Sequence, residues 1–281
     1  MQATRKLIVE QLSPIYPPQE IESLSMLIFE KVLGLSRIQI RLNRNETISA
    51  ANLAQIKEII SRLIQFEPIQ YILGETQFYG CIFKVNLSVL IPRQETEELV
   101  DWIICDNKHL CPAILDIGTG SGCIPITLVK NLPGASAQGW DISSDALIVA
   151  KENALKNQVT VNFQRVDILN PVIPVPLEKY DIVVSNPPYV TISEKAMMSQ
   201  NVIDFEPHIA LFVPDSDALV FYRRIADLAF MQLNPGGHLY LEINEKYGNE
   251  TADLLWMNGF THILLKKDIN GKNRMIKGEK P

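Results

Sequence analysis

The sequence predicts an α/β protein, an open and mostly parallel sheet covered by helices on both faces, with a small helical domain in front of it. Beyond Pro92, short apolar runs alternate with helical runs of about 10–15 residues, the pattern of strands joined by crossover helices. Before residue 73 the apolar repeats have helical spacing instead. The chain has 281 residues, 47% apolar and 21% charged. At roughly 100–200 residues per domain that is two domains, and the core needs no disulfide or metal. Intrinsic disorder and a mini-protein scaffold are excluded.

The elements follow in order. Ile21, Leu24, Leu27, Ile28 and Val32 recur at three- and four-residue steps between Pro17-Pro18 and Gly34, predicting an amphipathic helix. A second helix starts near Ser49, puts Leu53, Ile56, Ile59, Ile60, Leu63 and Ile64 on one face, and ends before Pro68. From Gln77 to Ile91 the period changes to two (Phe78, Cys81, Phe83, Val85, Leu87, Val89), which predicts a linking β-hairpin. Strands are then expected at Ala113–Ile117, Ala135–Trp140, Thr160–Val166, Tyr180–Ser185, His238–Ile243 and His262–Leu265. Helices are expected at Glu95–Ile104, Ser121–Asn131, Ser144–Lys156, Ala218–Leu233 and Tyr247–Asn258. There is no internal repeat and no low-complexity segment.

The net charge of −6 argues against a protein that wraps nucleic acid through bulk charge. Cys81, Cys105, Cys111 and Cys123 form no C-x-x-C pair, and Met1–Lys6 lacks the apolar run of a signal peptide, so a reduced, cytoplasmic setting is expected. No stretch approaches the roughly 18 uninterrupted apolar residues of a membrane span. His109, His208, His238 and His262 are scattered without metal-ligand spacing, and no metal is expected.

In open sheets of this kind ligands sit beyond the carboxyl ends of the strands, where strand order reverses. After the first strand comes Asp116-Ile117-Gly118-Thr119-Gly120-Ser121-Gly122, whose alternate glycines let the backbone turn sharply and bring amide groups close to a ligand. Cys123 stands where a dinucleotide fingerprint needs glycine, and neither a G-K-[ST] ending nor a G-x-S-x-G elbow is present. The second strand ends at Asp141, 25 residues beyond Asp116, where a carboxylate can accept from both hydroxyls of a ribose. The third ends at Asp167-Ile168, an acceptor and an apolar face suited to adenine. Each could be a helix cap or a turn residue alone; together they predict an adenosine ligand.

The fourth strand runs into Asn186-Pro187-Pro188-Tyr189. Two prolines stiffen this loop and remove two amide donors. The Asn186 side-chain oxygen and the Pro187 carbonyl then make a pair of acceptors for the two hydrogens of an NH2 group, and Tyr189 offers a flat face for stacking. Asp-Ile-Gly-Thr-Gly-Ser-Gly followed by Ser-Asn-Pro-Pro-Tyr-Val resembles the S-adenosylmethionine-dependent methyltransferases that act on planar nitrogen. Pro68–Gly74, Phe78-Tyr79-Gly80, Ile91–Glu97, Glu206–Leu211, Phe221–Ile225 and Asp268–Arg274 narrow the resemblance to the HemK family of protein-glutamine methyltransferases. It extends from about residue 65 to the end, the helical part matching mainly in length and position. Two departures lie away from the methyl-transfer centre: Phe212-Val213-Pro214-Asp215 replaces a common Gly-Gly pair, and Gln94 stands where proline is usual.

The resemblance implies a Rossmann-like, mostly parallel seven-stranded sheet over residues 93–281, an N-terminal helical substrate-recognition domain over 1–73, and a hairpin linker over 74–92. It implies S-adenosylmethionine as cofactor, held by Gly118, Thr119, Gly120, Ser121, Gly122, Asp141, Asp167, Ile168 and Asn186, with S-adenosylhomocysteine as product. Asn186, Pro187 and Tyr189 are the expected catalytic residues, and Asn186, Pro187, Pro188 and Tyr189 the expected substrate contacts. The resemblance also puts Arg93–Thr96 near the cofactor. The implied substrate is the glutamine of the Gly-Gly-Gln motif of peptide-chain release factors, with no direct nucleic-acid or membrane partner and a monomeric chain. A DNA or RNA amino-methyltransferase would use the same acceptor pair on a flipped base, and is the competing reading.

Overall fold

A computed structural model describes residues 1–170 and 179–281. The chain divides into two compact units: Met1–Gly74 together with Ser199–Phe205, and Glu75–Met198 together with Glu206–Pro281.

The first unit contains helices α1 (Gln2–Leu12), α2 (Pro18–Leu33), α3 (Arg37–Leu42), α4 (Ala50–Ile64) and α5 (Ile69–Leu73). Their boundaries have local causes. Pro18 opens α2 where its missing N–H costs no hydrogen bond, and Gly34 ends it in the left-handed conformation, φ 66°. Ser49 accepts the Asn52 N–H at 3.1 Å and caps α4. Ile56, Ile59, Ile60 and Leu63 form the buried stripe of α4, clustered with Ile8, Leu12, Ile28 and Phe29. Ile64, expected on that stripe, lies at its exposed edge.

The second unit begins with a hairpin, β1 (Glu75–Phe78) and β2 (Cys81–Lys84). Tyr79 and Gly80 both have positive φ, 46° and 74°, which matches the turn to the twist of the strands. The hairpin is shorter than the period-two pattern predicts. Asn86 accepts the Ser88 N–H at 2.9 Å and turns the chain, so Val85, Val89 and Ile91 are buried without belonging to a strand.

Then follow α6 (Gln94–Asn107), β3 (Ala113–Ile117), α7 (Cys123–Asn131), β4 (Ser136–Asp141), α8 (Ser144–Lys156), β5 (Asn162–Arg165) and β6 (Tyr180–Ser185). After β6 come β7 (Val190–Thr191), α9 (Gln200–Phe205), which belongs to the first unit, and β8 (Phe212–Val213). The chain closes with α10 (Val220–Gln232), β9 (Leu233–Glu242), α11 (Gly248–Met257), β10 (Thr261–Lys267) and β11 (Asn273–Glu279).

Seven strands form one sheet in the order β10-β11-β9-β6-β3-β4-β5. The pairs from β9 to β5 are parallel; β11 runs antiparallel to both neighbours. Leu99, Ile103, Ile126, Leu128 and Ala150 of α6, α7 and α8 cover one face with Ile114 and Val184. Tyr222, Ile225, Ala229 and Leu255 of α10 and α11 cover the other with Leu115 and Val183. Alternate residues of one strand thus serve opposite cores, which is why β3 and β6 read as continuous apolar runs. Strand order reverses between β3 and β6, the switch point.

Three strands among the described residues went unread in the sequence, as did α9. β11 lies inside the sheet although only Met275 and Ile276 are buried apolar residues, one in each core. Charged Arg274, Lys277 and Glu279 hide its period. β7 and β8 are two-residue parallel strands, paired as Val190 with Phe212 and Thr191 with Val213, too short to carry any period.

Asn153 of α8 joins the hairpin to the loop after β3. Its Oδ1 accepts the Lys84 N–H at 2.6 Å, while its Nδ2 donates to the carbonyls of Lys84 at 3.0 Å and Ser121 at 2.9 Å. Asn153→Ala should lower the unfolding free energy by about 2 kcal/mol, because it strands buried backbone groups. Urea denaturation measures this, and an unchanged midpoint would show that the clamp contributes nothing.

Candidate active site

The loop after β3 turns through Gly118, Gly120 and Gly122 at φ 74°, 52° and 79°. The N–H groups of Gly118 and Thr119 both donate to the Trp140 carbonyl, at 2.8 and 2.9 Å, which ties the loop to the end of β4. Gly118, Thr119, Gly120 and Ser121 line one wall of a cavity at the switch point. Gly122 lies outside that lining. A Cβ there would sit 3.0 Å from Ile126 and 3.2 Å from Ala150, so this glycine serves close packing under the loop.

Asp141, at the end of β4, also lines the cavity. Its two oxygens accept the Gly120 N–H at 2.8 Å and the Ser143 N–H at 2.9 Å. A carboxylate oxygen offers about two lone-pair directions, so each retains capacity for a ribose hydroxyl. Burial raises its pKa against the pull of the Ser143 and Gly120 N–H groups. Beyond β5, Asp167 accepts the Leu169 N–H at 3.0 Å. Ile142, Val166, Ile168 and Leu169 add apolar walls beside Asp141 and Asp167. The side-chain-poor backbone of the glycine loop, a carboxylate and an apolar slot with a second carboxylate fit the amino-acid, ribose and base portions of S-adenosylmethionine.

Asn186, Pro187 and Pro188, after β6, line the same cavity. The Ser185 hydroxyl donates to the Ile117 carbonyl at 2.6 Å and locks the end of β6 to β3. Asn186 Nδ2 donates to Thr96 Oγ1 at 3.1 Å, and Thr96 in turn donates to Glu242 Oε2 at 2.6 Å. Tyr189 is turned away from the cavity lining. Its hydroxyl donates to Glu242 Oε1 at 3.1 Å, its carbonyl accepts from Asn244 Nδ2 at 3.0 Å, and Arg274 lies 6.0 Å from its ring centre. The expected stacking face is therefore part of the wall's support.

Arg93 lines the cavity and pairs at 2.5 Å with the buried carboxylate of Glu206, which also accepts the Ile91 N–H at 3.3 Å. The sequence reaches Arg93–Thr96 only through resemblance and Glu206 only as part of a matching motif, and it gives no role to Glu242 and Asn244. A signal was present for the last two, since Glu242 stands near the end of the fifth expected strand and Asn244 directly after it, as Asn186 stands directly after the fourth.

Residues 103–206 match the family model "Methyltransferase small domain", and residues 5–74 match "PrmC N-terminal domain". A release factor glutamine methyltransferase of Bacteroides thetaiotaomicron is 47% identical over 96% of both chains. One from Flavobacterium psychrophilum is 46% identical over 97% of this chain and 96% of its own. The chain belongs to the release factor glutamine methyltransferase family. A 16S rRNA N2 G1207 methyltransferase of T. thermophilus, solved with AdoMet and guanosine, superimposes with a TM-score of 0.52 at 17% identity, over 74% of this chain and 50% of that one. That likeness concerns the fold alone. Among the described residues of this family member, no helix is long and apolar enough to cross a membrane, and no three His, Cys, Asp or Glu could hold a metal ion.

Asp116 lies fully buried under the glycine loop, with no hydrogen bond to either carboxyl oxygen among the described residues. Burial pushes its pKa up to about 7, the Asp141 charge adds to the rise, and the Thr119 hydroxyl, short of hydrogen-bond geometry, opposes it. The folded state therefore holds a proton that the unfolded chain releases near the ordinary value of 3.8. Because the folded state binds more protons over that interval, this group's contribution to stability falls as pH rises from about 4 to 7, by a few kcal/mol at most. Asp116→Asn keeps the neutral shape and should flatten that decline. Unfolding free energies of both proteins at pH 4.5 and 7.5 test it; a constant difference between them would contradict a proton on Asp116.

Proposed function

We propose that this chain transfers the methyl group of S-adenosylmethionine to the side-chain amide nitrogen of a glutamine in peptide-chain release factors, at the Gly-Gly-Gln motif. The observation that carries this reading is the orientation of Asn186. Its NH2 group is committed to Thr96, so its carbonyl oxygen is the end available on the cavity side, beside Pro187.

When bound, S-adenosylmethionine supplies a methyl on a sulfonium sulfur, an electrophile that needs no further activation. Asp141 would hold the ribose, Asp167 and Ile168 the base, and the loop from Gly118 to Ser121 would border the amino-acid portion. An amide nitrogen is a poor nucleophile because its lone pair is delocalised into the carbonyl. Asn186 Oδ1 and the Pro187 carbonyl would accept its two hydrogens and hold it in line with the methyl. Both bonds strengthen as positive charge develops on nitrogen, so they stabilise the transition state more than the bound substrate. The nitrogen would gain the methyl, leaving S-adenosylhomocysteine behind, and would lose one proton to solvent afterwards, so no base is needed beforehand. Pro187 and Pro188 keep the acceptors in place because the loop has little conformational freedom.

The substrate reading is supported by the names of the relatives and by the match to them along nearly the whole chain. The N-terminal unit contributes none of the cavity-lining residues and is assigned to recognition of the release factor. Its α3 exposes Ile38 and Leu42 one turn apart, an apolar pair with no role in that unit's core. The chain is assigned to the cytoplasm, with its four cysteines as thiols, and acts as a monomer with no direct nucleic-acid or membrane partner.

Labelled S-adenosylmethionine, incubated with the full chain and separately with release factor, DNA and RNA, tests the proposal. The label should enter the release factor alone, adding one methyl to the Gly-Gly-Gln glutamine by mass fragmentation. Label in nucleic acid with none in release factor would establish the competing amino-methyltransferase reading.

A further inference from the structure

We propose that Thr96 and Glu242 are positioning residues for methyl transfer, forming a relay of hydrogen-bond direction that compels Asn186 to face the substrate with its oxygen. This rests on the reading of Asn186 as acceptor for the substrate amide. An Asn side chain has nearly the same shape either way round, and only its partners decide which end faces a ligand. In one orientation Asn186 accepts from the substrate NH2. In the other, its own NH2 meets that NH2, donor against donor, and the acceptor pair is lost.

The relay removes the second orientation. A threonine hydroxyl has one proton to give. Thr96 gives it to Glu242 Oε2 at 2.6 Å, a bond inside the charge-assisted range of about 2.5–2.7 Å. Toward Asn186, 3.1 Å away, Thr96 can then only accept. The end of Asn186 that faces Thr96 must therefore be NH2, and Oδ1 must lie on the other side. For an ionised Glu242 this follows from proton count, whichever way the amide is assigned; burial raises the Glu242 pKa, and the Thr96 and Tyr189 hydroxyls and the Arg274 charge oppose that rise.

Glu242 suits the start of such a relay because it has little choice of role. It is 1% exposed, and its other oxygen is taken by the Tyr189 hydroxyl at 3.1 Å. One carboxyl thus receives both ends of the four-residue loop, Tyr189 directly and Asn186 through Thr96. The sheet places it there: Ser185 pairs with Leu241 in parallel register, so the residues that follow, Asn186 and Glu242, leave adjacent strand ends side by side. A carboxyl buried this deeply is costly unless its hydrogen bonds serve a purpose. Arg274 is bound to Asp268 at 3.2 Å and acts on Glu242 only as a nearby charge, so a direct ion pair does not account for the buried carboxyl.

The test is a double-mutant cycle on the full chain, with kcat on release factor, the Kd of S-adenosylmethionine and the unfolding midpoint measured for each variant. Thr96→Val keeps the shape and removes the relay. It should reduce kcat by about tenfold to a hundredfold while Kd changes by less than about twofold. Thr96→Ser restores the hydroxyl and should recover most of the loss, which a merely structural role for the side chain would not require. In an Asn186→Ala background, Thr96→Val should cost nothing further, because the relay has nothing left to orient. Should Thr96→Val fail to fold, Thr96→Ala is read in the same way. Independent, multiplicative losses from Thr96 and Asn186, or equal impairment of the Val and Ser variants, would overturn the relay. Failure of the wild-type chain to methylate release factor would instead refute the function reading, and the relay's substrate with it.

Discussion

The parallel pairing of β6 between β3 and β9 is the constraint on which the site depends. The registers that set Ile117 beside Ser185, and Ser185 beside Leu241, bring three strand ends level. The glycine loop, the Asn186–Tyr189 loop and Glu242 then leave the sheet side by side. A one-residue slip would turn each strand's side chains to the opposite core, and the apolar runs of β3 and β6 resist it because both faces are buried. Packing with no chemical role therefore sets the distances between groups that have one.

Buried polar groups gather where this constraint delivers them. Asp116, Thr119, Ser185, Glu242 and Asn244 are all buried within a few residues of a strand end. Ser185, Glu242 and Asn244 are hydrogen-bonded to loops, so they rigidify the site at the expense of desolvation. Asp116 differs, because among the described residues neither of its oxygens has a hydrogen-bond partner, and burial raises its pKa. The Asn-Pro-Pro-Tyr loop is thus held by its own prolines, by Ser185 at its start and by Asn244 at its end.

Much of this was legible in the sequence. Gly118, Gly120, Asp141, Asp167 and Asn186 stood out because chemistry-bearing residues at successive strand ends are improbable as packing alone, and all of them line one cavity. The alternation of apolar runs and helices was equally readable, because burial on both faces leaves few polar interruptions. Other features had no local signature. β11 carries three charged residues among its seven, Arg274, Lys277 and Glu279, and becomes a strand only through pairing with β9 and β10. Residues 199–205 lie between two segments of the sheet unit yet belong to the helical one, a tertiary fact that no period encodes. Thr96 and Glu242 are 146 residues apart and meet only after the sheet has formed. Tyr189 reads as a stacking surface in sequence, and only its bond to Glu242 reveals that it braces the loop.

The central claim is that the Asn186 oxygen acts on the substrate amide during transfer rather than on the cofactor. Asn186→Ala, assayed in single turnover on release factor alongside calorimetric titration with S-adenosylmethionine, tests it most directly. The account predicts a transfer rate lower by about a hundredfold or more, with cofactor affinity changed by less than about threefold. A parallel fall in rate and affinity would make Asn186 a cofactor ligand and contradict the account.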